Sequence, residues 1–421
     1  MKLCIFEDET FENFYPITLT RPTFDLRCGH TLLYEKILRA FPDMETCFFL
    51  RPQLAPTFRK KVEGKSVNDL SALNDDILMI NGRTLFMDTD IQAEGDEEIG
   101  IMDNTLVYAR VKKQTLDKCR ADSFEAVLKN IKQVLQKKET SVILISYLWE
   151  LFHNNGKAIE DDFNKLPQKG IFGNMAEGAI IYGDRSKVHI GKGTEIQPHT
   201  IIETAGGPVI IDEDVTVTPF TRIEGPCSIG KGTILFGTKL REGSSIGPVC
   251  RVGGEIEESI IHGYSNKYHD GFLGHAYIGE WVNLGALTTN SDLKNDYGSV
   301  QVYIKGQLFD TNDTKVGCFI GDYTKTSIGI LLNTGTSIGV LCILVASGGM
   351  LPKYIPSLTW YYKGKIAKGY GLETMLETVK TSMNRRKKEL TEEDIELLRY
   401  IKRATQDERN TIVRKARTEN N

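Results

Sequence analysis

An aliphatic residue recurs at every sixth position over much of the chain after residue 170, and this period constrains the fold more than any other feature. One run comprises Ile211, Val217, Ile223, Ile229 and Leu235, and a second comprises Ile320, Thr326, Leu332, Ile338, Leu344 and Met350. Shorter runs comprise Ile190, Ile196 and Ile202, and later Ile278 and Leu284. A small or β-branched residue follows four places after many of them: Thr194, Thr200, Val215, Thr221, Cys227, Thr233, Thr324 and Thr336. A period of six fits neither an α-helix nor the two-residue alternation of a strand.

The period fits a triangular coil in which each side takes one hexad. The aliphatic residue then points inward and the small residue fills the corner, so that stacked coils bury a continuous apolar column. Glycine follows several aliphatic residues, as in Ile190-Gly and Ile278-Gly, and it permits backbone conformations that a Cβ penalises. A β-sandwich with regularly spaced strands is the alternative, but sandwiches do not hold a register of six across so many units. We predict a left-handed parallel β-helix over residues 170–352.

The six-residue register breaks at three places. Ala205-Gly-Gly-Pro208 separates Ile202 from Ile211, and the segment from His262 to His275 separates Ile261 from Ile278. A third irregular stretch, residues 292–315, is polar. Breaks in a solenoid become loops on one face, where functional residues usually lie. We expect loops at all three.

Residues 1–165 have the pattern of an α/β domain. Short apolar runs of strand length lie at Leu3–Phe6, Cys47–Leu50, Ile77–Ile80 and Val142–Ile145, with helical patterns at Thr31–Phe41 and Phe124–Leu135 between them. Strands separated by helices indicate a mostly parallel sheet.

Residues 353–421 are predicted to form a helical tail that caps the open end of the coil. Leu372, Met375, Leu376, Val379 and Met383 form an apolar stripe, and Thr391 begins a further helix. The run Arg385-Arg-Lys-Lys388 fits either a nucleic-acid patch or a solvated helix end, and neighbouring acids favour the helix end.

Composition excludes several classes of function. The net charge is only −4 over 421 residues, and no run approaches the length of a membrane span, so we expect neither nucleic acid nor a membrane as partner. The eight cysteines are scattered and form no CxxC pair, so we assign no metal ligand and expect a reduced, cytoplasmic protein.

The segment around His269 carries a resemblance to a known family. His269 lies nine residues before Ile278-Gly279, which leads into Val282-Asn-Leu-Gly-Ala286. This pattern resembles the acetyltransferase half of the bifunctional N-acetylglucosamine-1-phosphate uridylyltransferase/glucosamine-1-phosphate acetyltransferase. The whole chain also resembles a subfamily of sugar nucleotidyltransferases of the same two-part architecture, through the segment Phe14–Gly29.

The resemblance implies a homotrimer with acetyl-CoA between neighbouring β-helices. It implies that His269 is the general base, that a backbone N–H near Ala286 holds the oxyanion, and that Arg241 and Asn283 contact the sugar phosphate. Glu257-Glu258-Ser259 departs from the family, which has lysines there, and this argues against glucosamine-1-phosphate itself as the acceptor. Lys267 is a further candidate for binding the substrate.

The N-terminal domain resembles a degenerate nucleotidyltransferase. The family's glycine-rich phosphate loop is absent, and Arg21 and Arg27 are the candidate phosphate-binding cations in its place. Arg83 stands where the family has the acid that holds Mg²⁺, and arginine cannot ligate a metal. Two interpretations remain open. Either Arg21, Arg27 and Arg83 bind a nucleotide or sugar phosphate, with Mg²⁺ only if nucleotidyl transfer survives, or the domain is a retired enzyme that caps the coil or senses a ligand.

We therefore predict a transferase that acts in nucleotide-sugar biosynthesis, such as that of UDP-N-acetylglucosamine. Its predicted chemistry is CoA-dependent acetyl transfer to an amino-sugar phosphate at His269, with sugar-1-phosphate nucleotidyl transfer in the N-terminal domain as a second activity that uses a nucleoside triphosphate. The alternative is a non-catalytic trimeric scaffold or a sugar-nucleotide sensor.

Overall fold

The computed structural model describes residues 1–418, and their contacts group them into two units. The first unit comprises Met1–Phe11, Arg21–Leu26 and Thr31–Ser146. The second comprises Glu12–Thr20, Arg27–His30 and the chain from Tyr147 onward. The segment Phe14–Gly29, which carries the family resemblance, is therefore shared between the units.

The first unit contains one seven-stranded sheet. Its strands are β1 (Lys2–Phe6), β2 (Glu45–Phe49), β3 (Ser66–Val67), β4 (Ile77–Asn81), β5 (Glu98–Met102), β6 (Thr105–Val111) and β7 (Lys137–Glu139). They lie in the order β3-β2-β1-β4-β6-β5-β7. Only β6 runs antiparallel to its neighbours, β4 and β5, so the predicted mostly parallel sheet is confirmed.

Four helices belong to this unit: α1 (Leu33–Ala40), α2 (Ala55–Lys61), α3 (Lys113–Lys118) and α4 (Phe124–Val134). Phe124, Val127 and Ile131 of α4 pack in the buried cluster of the sheet. The predicted strand at Val142–Ile145 is wrong. The β5–β6 hairpin, which the sequence analysis missed, fills the sheet beside β4, and the Val142–Ile145 segment instead forms backbone hydrogen bonds with the residues that follow β4, such as Leu85 N–H to Ile143 C=O at 2.9 Å.

The second unit contains the predicted parallel β-helix, whose strands form three faces. The first face is a nine-stranded sheet of Val188–Ile190, Val209–Ile211, Cys227–Ile229, Ser244–Ile246, Ile260–Gly263, Tyr277–Glu280, Cys318–Ile320, Thr336–Ile338 and Tyr354–Ile355. The second face holds Asn174–Met175, Glu195–Ile196, Thr216–Val217, Asn266–Lys267, Lys325–Thr326, Ile343–Leu344, Thr359–Tyr362 and Lys365–Lys368. The third face holds Ile180–Tyr182, Ile201–Glu203, Arg222–Glu224, Phe272–Gly274, Thr289–Asn290 and Leu331–Leu332. Ile234–Leu240 and Arg251–Glu257 run through the second and third faces.

The predicted inward column is almost entirely confirmed. The aliphatic residues of the hexads are buried in one continuous cluster, and the small residues four places later are buried as well. Several threonine hydroxyls at the corners donate to carbonyls of the next coil, as Thr233 does to Gly247 at 2.9 Å and Thr324 to Gly339 at 2.8 Å. Met350 is an exception, because it is exposed and the following residue, Leu351, is buried in its place.

The predicted loop between Ile261 and Ile278 is wrong. The chain there continues the coil through Ile260–Gly263, Asn266–Lys267 and Phe272–Gly274. Lys267 pairs in register with Val252 and is 2% exposed, so a lysine occupies an inward position of the aliphatic column. The period of six was hidden because a charged residue fills one of its places.

The other elements surround the coil. Residues 292–315 contain an antiparallel hairpin, Gln301–Ile304 with Gln307–Asp310, where the sequence predicted a projecting loop. The helices are α5 (Leu148–His153), α6 (Asn155–Asn164), α7 (Leu372–Asn384), α8 (Glu392–Ala404) and α9 (Gln406–Thr418), and single 3-10 turns lie at Glu9–Phe14, Ile17–Leu19, Thr23–Asp25, Pro52–Leu54, Leu70–Ala72 and Arg185–Lys187. Val413 of α9 joins the buried cluster of the coil with Tyr361 and Ile366, as expected for a cap. None of the helices in residues 1–418 combines the length and apolar character needed to cross a bilayer.

Candidate functional site

One corner of the β-helix, between the second and third faces, carries a row of exposed side chains. We call it the exposed edge, and it is formed by His199, Phe220, Phe236, His269, Leu287 and Ile328, one from each of six coils. Phe220 is 77% exposed and Ile328 is 70% exposed, which is unusual for large apolar residues. Rows of exposed apolar side chains are typical of surfaces that bind another molecule.

His269 lies on this edge with its imidazole exposed. The ring of Tyr268 packs edge-on against it at 5.4 Å between centroids, and Tyr268 itself stacks on Phe236 at 5.1 Å. Among the hydrogen bonds and ion pairs within residues 1–418, none involves the ring nitrogens of His269. Both nitrogens are therefore available to a ligand.

Ala286 lies on the coil that packs next to the His269 turn. The Leu287 N–H donates to the Asp270 carbonyl at 2.8 Å, which joins the two turns. A Cβ on Gly271 would lie 2.2 Å from the carbonyl oxygen of Thr288, so only glycine allows the turns to pack this closely. The Ala286 N–H has no acceptor within the part of the chain that the structure describes. The exposed edge thus presents an imidazole and an unused backbone donor on adjacent coils.

Lys267 supports the turn that carries His269. Its ammonium donates to the carbonyls of His269 at 2.6 Å and Gly253 at 3.1 Å. Burial lowers the pKa of Lys267 to about 8, and the opposing charge of Asp270 offsets part of this effect. Lys267 therefore stabilises the turn from inside the coil. This position does not support the predicted contact between Lys267 and the substrate.

Arg241 lies on the third face among carboxylates. Its guanidinium is 2.7 Å from Glu257, 3.7 Å from Glu242 and 4.0 Å from Glu255. Lys315 also approaches Glu257, at 3.6 Å. A sugar phosphate at Arg241 would have to displace Glu257, so the departure from the family at residues 257–259 changes the charge of this site.

A buried histidine that the sequence analysis did not single out lies beside this group. His275 Nδ1 is 2.8 Å from Asp292 and Nε2 is 3.3 Å from Glu258. Burial alone would lower the pKa of His275, but its hydrogen bonds to the two carboxylates outweigh burial and raise the pKa to about 9. Because both ring nitrogens are taken by carboxylates, His275 is a structural imidazolium.

Asn283 lies on the second face, where Asn266 Nδ2 donates to its Oδ1 at 3.1 Å. The structure therefore brings His269 and Ala286 together on the exposed edge and places Arg241 and Asn283 on the faces to either side. Two residues, Leu284 and Gly285, separate Asn283 from Ala286 along the chain.

The first unit has its own cavity of about 860 Å³. It lies at the carboxyl ends of β1, β2 and β4, where ligands bind in open α/β sheets. Glu7 and Asp8, which follow β1, are both held by arginines. Arg51 is 2.8 Å from Glu7, and Arg83 is 2.7 Å from Asp8.

Arg83 is buried, and all of its nitrogens are engaged. Nε and Nη2 donate to Asp8, and Nη1 donates to the Ile145 carbonyl at 2.6 Å. Burial would raise the pKa of Asp8, but the hydrogen bonds and charge of Arg83 hold it below its ordinary value. This geometry gives no support to a phosphate at Arg83, and a carboxylate so paired does not fit a Mg²⁺ ligand. Residues 1–418 contain no cluster of three or more metal-ligating side chains.

The two other predicted phosphate ligands lie in different units. Arg21, in the first unit, is buried, and its carbonyl accepts a hydrogen bond from Arg51 at 3.0 Å. Arg27, in the second unit, donates from Nε to the His262 carbonyl at 3.3 Å and from Nη1 to the His30 carbonyl. Its backbone N–H donates to the Tyr277 hydroxyl at 2.8 Å. Arg27 thus ties the segment 27–30 to the β-helix.

Cations that the sequence analysis missed line the cavity of the first unit. Lys129 and Lys132 of α4 and Lys137 of β7 are exposed and border it. The spacing of Lys129 and Lys132 along α4 is the signal in the sequence that places both on one side of the helix.

Comparison with known proteins gives one family match and several partial relatives. Residues 3–170 match a family described as sugar nucleotidyl transferase. A bifunctional sugar-1-phosphate nucleotidylyltransferase/acetyltransferase of Sulfurisphaera tokodaii is 35% identical over 144 residues, which cover 32% of this chain and 34% of that protein. The bifunctional protein GlmU of Rippkaea orientalis is 35% identical over 116 residues, covering 26% of this chain and 24% of the relative. The predicted family resemblance is confirmed.

These likenesses are partial. GlmU of Burkholderia vietnamiensis is 24% identical over 218 residues, covering 45% of this chain and 46% of that protein. The chain thus matches between about a quarter and a half of the length of these curated relatives. A solved structure of an Arabidopsis UDP-N-acetylglucosamine acyltransferase is 14% identical and covers 51% of this chain and 80% of its own, with a TM-score of 0.27.

Proposed function

We propose that the chain is a transferase of the bifunctional nucleotidyltransferase/acetyltransferase type, and that its β-helix transfers the acetyl group of acetyl-CoA to an amino-sugar phosphate. One observation carries the proposal: the exposed imidazole of His269 has no partner in residues 1–418 and lies on the coil adjacent to the unused N–H of Ala286. Acyl transfer to an amine needs this pair, a base for the amine and a donor for the oxyanion.

The proposed reaction gives one role to the His269 imidazole and one to the Ala286 N–H. The amine nitrogen of the sugar attacks the thioester carbonyl while His269 accepts a proton from that nitrogen. The carbonyl oxygen becomes an oxyanion that accepts a hydrogen bond from the Ala286 N–H. Collapse of the intermediate forms the amide, breaks the C–S bond and expels the CoA thiolate, which takes the proton from the imidazolium. Lys267 holds the His269 carbonyl and acts as a positioning residue.

The acceptor is proposed to differ from glucosamine-1-phosphate. Three glutamates surround Arg241, so a dianionic phosphate there would meet repulsion as well as attraction. An amino-sugar phosphate whose phosphate lies away from Arg241 avoids that cost.

A homotrimer completes the proposed site. The apolar side chains of the exposed edge would be covered by a second copy, and acetyl-CoA would lie between neighbouring β-helices beside His269. The exposed apolar residues Phe220, Phe236, Leu287 and Ile328, on four coils of this edge, support this arrangement.

The release of free CoA thiol from acetyl-CoA, measured against a panel of amino-sugar phosphates and nucleotide-linked amino sugars, tests the proposal. We expect turnover with at least one acceptor that carries a free amine and none with its N-acetylated form. Absence of turnover with every acceptor would leave the scaffold or sensor as the better account.

The first unit supports a second function, the binding of a nucleotide or sugar phosphate. The match of residues 3–170 to the nucleotidyl transferase family and the cavity bordered by Lys129, Lys132 and Lys137 favour it. Thermal stabilisation by nucleoside triphosphates with and without Mg²⁺ separates the two interpretations. Stabilisation that needs Mg²⁺ favours surviving transfer, whereas stabilisation without it favours a ligand sensor.

A further inference from the structure

A groove between α7 and the second face of the β-helix contains several cations and few acids. Its volume is about 550 Å³, within the range of small-molecule sites. We call it the C-terminal groove, and its lining includes Asn266, Asn283, Lys325, Arg385 and Arg386. Glu377, exposed on α7, is the one carboxylate among the lining residues in the part of the chain that the structure describes.

The cations of the groove lack carboxylate partners. No ion pair of Lys325, Arg385 or Arg386 occurs within residues 1–418. Arg386 Nη2 donates to the Asn266 amide oxygen at 3.0 Å, while its Nε is buried and has no hydrogen-bond partner. A buried N–H of a charged group without a partner costs free energy, which a bound acceptor would recover.

The charges in the groove repel one another. Burial and the nearby charge of Arg385 lower the pKa of Lys325. Burial, and then Arg251 and Arg385, lower the pKa of Arg386. Both shifts mean that the charged forms are destabilised in the groove as it stands.

Several other cations on the coil have carboxylate partners. Arg222 pairs with Glu203, Lys231 with Glu213 and Arg241 with Glu257, each at 2.7 Å. The C-terminal groove is therefore a concentration of unneutralised positive charge in a chain whose net charge is −4. The end of α7 accounts for only part of this charge, because Lys325 belongs to the β-helix.

We propose that the C-terminal groove binds the phosphate group of a small phosphorylated molecule, with Lys325, Arg385 and Arg386 as its ligands. A phosphate supplies the acceptor that the Arg386 Nε lacks and the negative charge that the three cations lack. The amide of Asn283 also borders the groove, and its Nδ2 is a further donor for the ligand, because Asn266 occupies only its Oδ1. Arg385, Lys387 and Lys388 are exposed after the end of α7, as expected for a solvated helix end, whereas Arg386 donates to Asn266 in the groove.

Titration calorimetry on the full chain, in a low-salt buffer without phosphate, tests the proposal. The probes are inorganic phosphate, pyrophosphate and ADP, added without acetyl-CoA or acceptor so that the result does not depend on acetyl transfer. We expect binding of at least one probe, and tighter binding of ADP than of pyrophosphate would show that a nucleoside contributes. Equal affinities would assign recognition to the phosphates alone.

The variants Lys325→Met and Arg385→Gln locate the binding. Each should weaken the affinity about tenfold or more, as expected for a lost charge-assisted hydrogen bond. Lys231→Met, which removes a paired surface cation outside the groove, should leave the affinity unchanged. Arg385 is exposed, so its variant should fold even if Lys325→Met does not. The proposal is overturned if the wild type binds none of the probes, or if it binds them and Arg385→Gln binds them equally well.

Discussion

At the scale of single residues, the unusual group is the lysine inside the coil. Lys267 replaces an aliphatic residue in the inward column and lies in register with Val252. Its ammonium bonds to the carbonyl of His269, so the chain keeps a charge in its interior where that charge fixes the turn of the proposed base. A methionine of similar length would fill the space without holding the turn.

The pKa of Lys267 makes a prediction about stability and pH. Its pKa falls from an ordinary value of 10.5 to about 8 on burial, so between these values the unfolded chain binds a proton that the folded chain does not. The stability contributed by this group is full above about pH 10.5 and is lost as the pH falls through 8. Relative to Lys267→Met, the wild type should gain on the order of 3 kcal/mol between pH 7.5 and 10.5.

Denaturant unfolding of the wild type and Lys267→Met across that pH range measures the difference in their free energies of unfolding. Other titrating groups are common to both proteins, so their contributions cancel in this difference. A difference in the free energy of unfolding that stays constant with pH would show that Lys267 keeps an ordinary pKa.

The residues of the site were only partly predictable. The family resemblance paired His269 with Ala286, and the structure places them on adjacent coils at one edge. The period of six did not place His269, because the sequence predicted a loop over residues 262–275. The orientation of Lys267 was not predictable, since a lysine in a solenoid is expected outside. Arg83 pairs with Asp8, 75 residues earlier. This pair was not predictable, because it depends on the order of strands in the sheet, and the local sequence pattern does not specify that order.

At the scale of elements, the hexad decides which residue of a strand supports the fold. Ile201 and Ile202 are adjacent in one strand of the third face, and they are 39% and 0% exposed. The period of six assigned Ile202 to the interior from the sequence alone. The strands of the first unit were less predictable. The only turn signal between β5 and β6 is Asp103-Asn104, and the sequence analysis missed this hairpin.

This pair of isoleucines gives a matched test of the inward column. Ile202→Ala should lower the free energy of unfolding by about 3 kcal/mol, because it removes buried methyl groups and leaves a cavity between coils. Ile201→Ala should cost less than about 1 kcal/mol. Midpoints of denaturant unfolding compare the two variants, and equal losses would contradict the assignment of faces.

At the scale of the whole molecule, the exposed edge sets the expected assembly. Its apolar side chains lie on four coils, at Phe220, Phe236, Leu287 and Ile328, which suits a contact along the length of the β-helix. Light scattering coupled to size exclusion should give three times the chain mass for the wild type. Ile328→Asp should reduce that mass, because it places a charge in the proposed interface, whereas Val134→Asp, at an exposed residue of α4, should not. A monomeric wild type, or a trimer unchanged by Ile328→Asp, would show that the exposed edge is not a subunit interface.

The central claim is that the β-helix transfers acetyl groups with His269 as base, and steady-state kinetics of His269→Gln tests it most directly. His199→Gln is the matched control, because it removes a histidine from the same exposed edge on an earlier coil. We predict that His269→Gln lowers kcat about a hundredfold or more with little change in the KM for acetyl-CoA, and that His199→Gln does neither. Acetylation by His269→Gln at the wild-type rate would contradict the account.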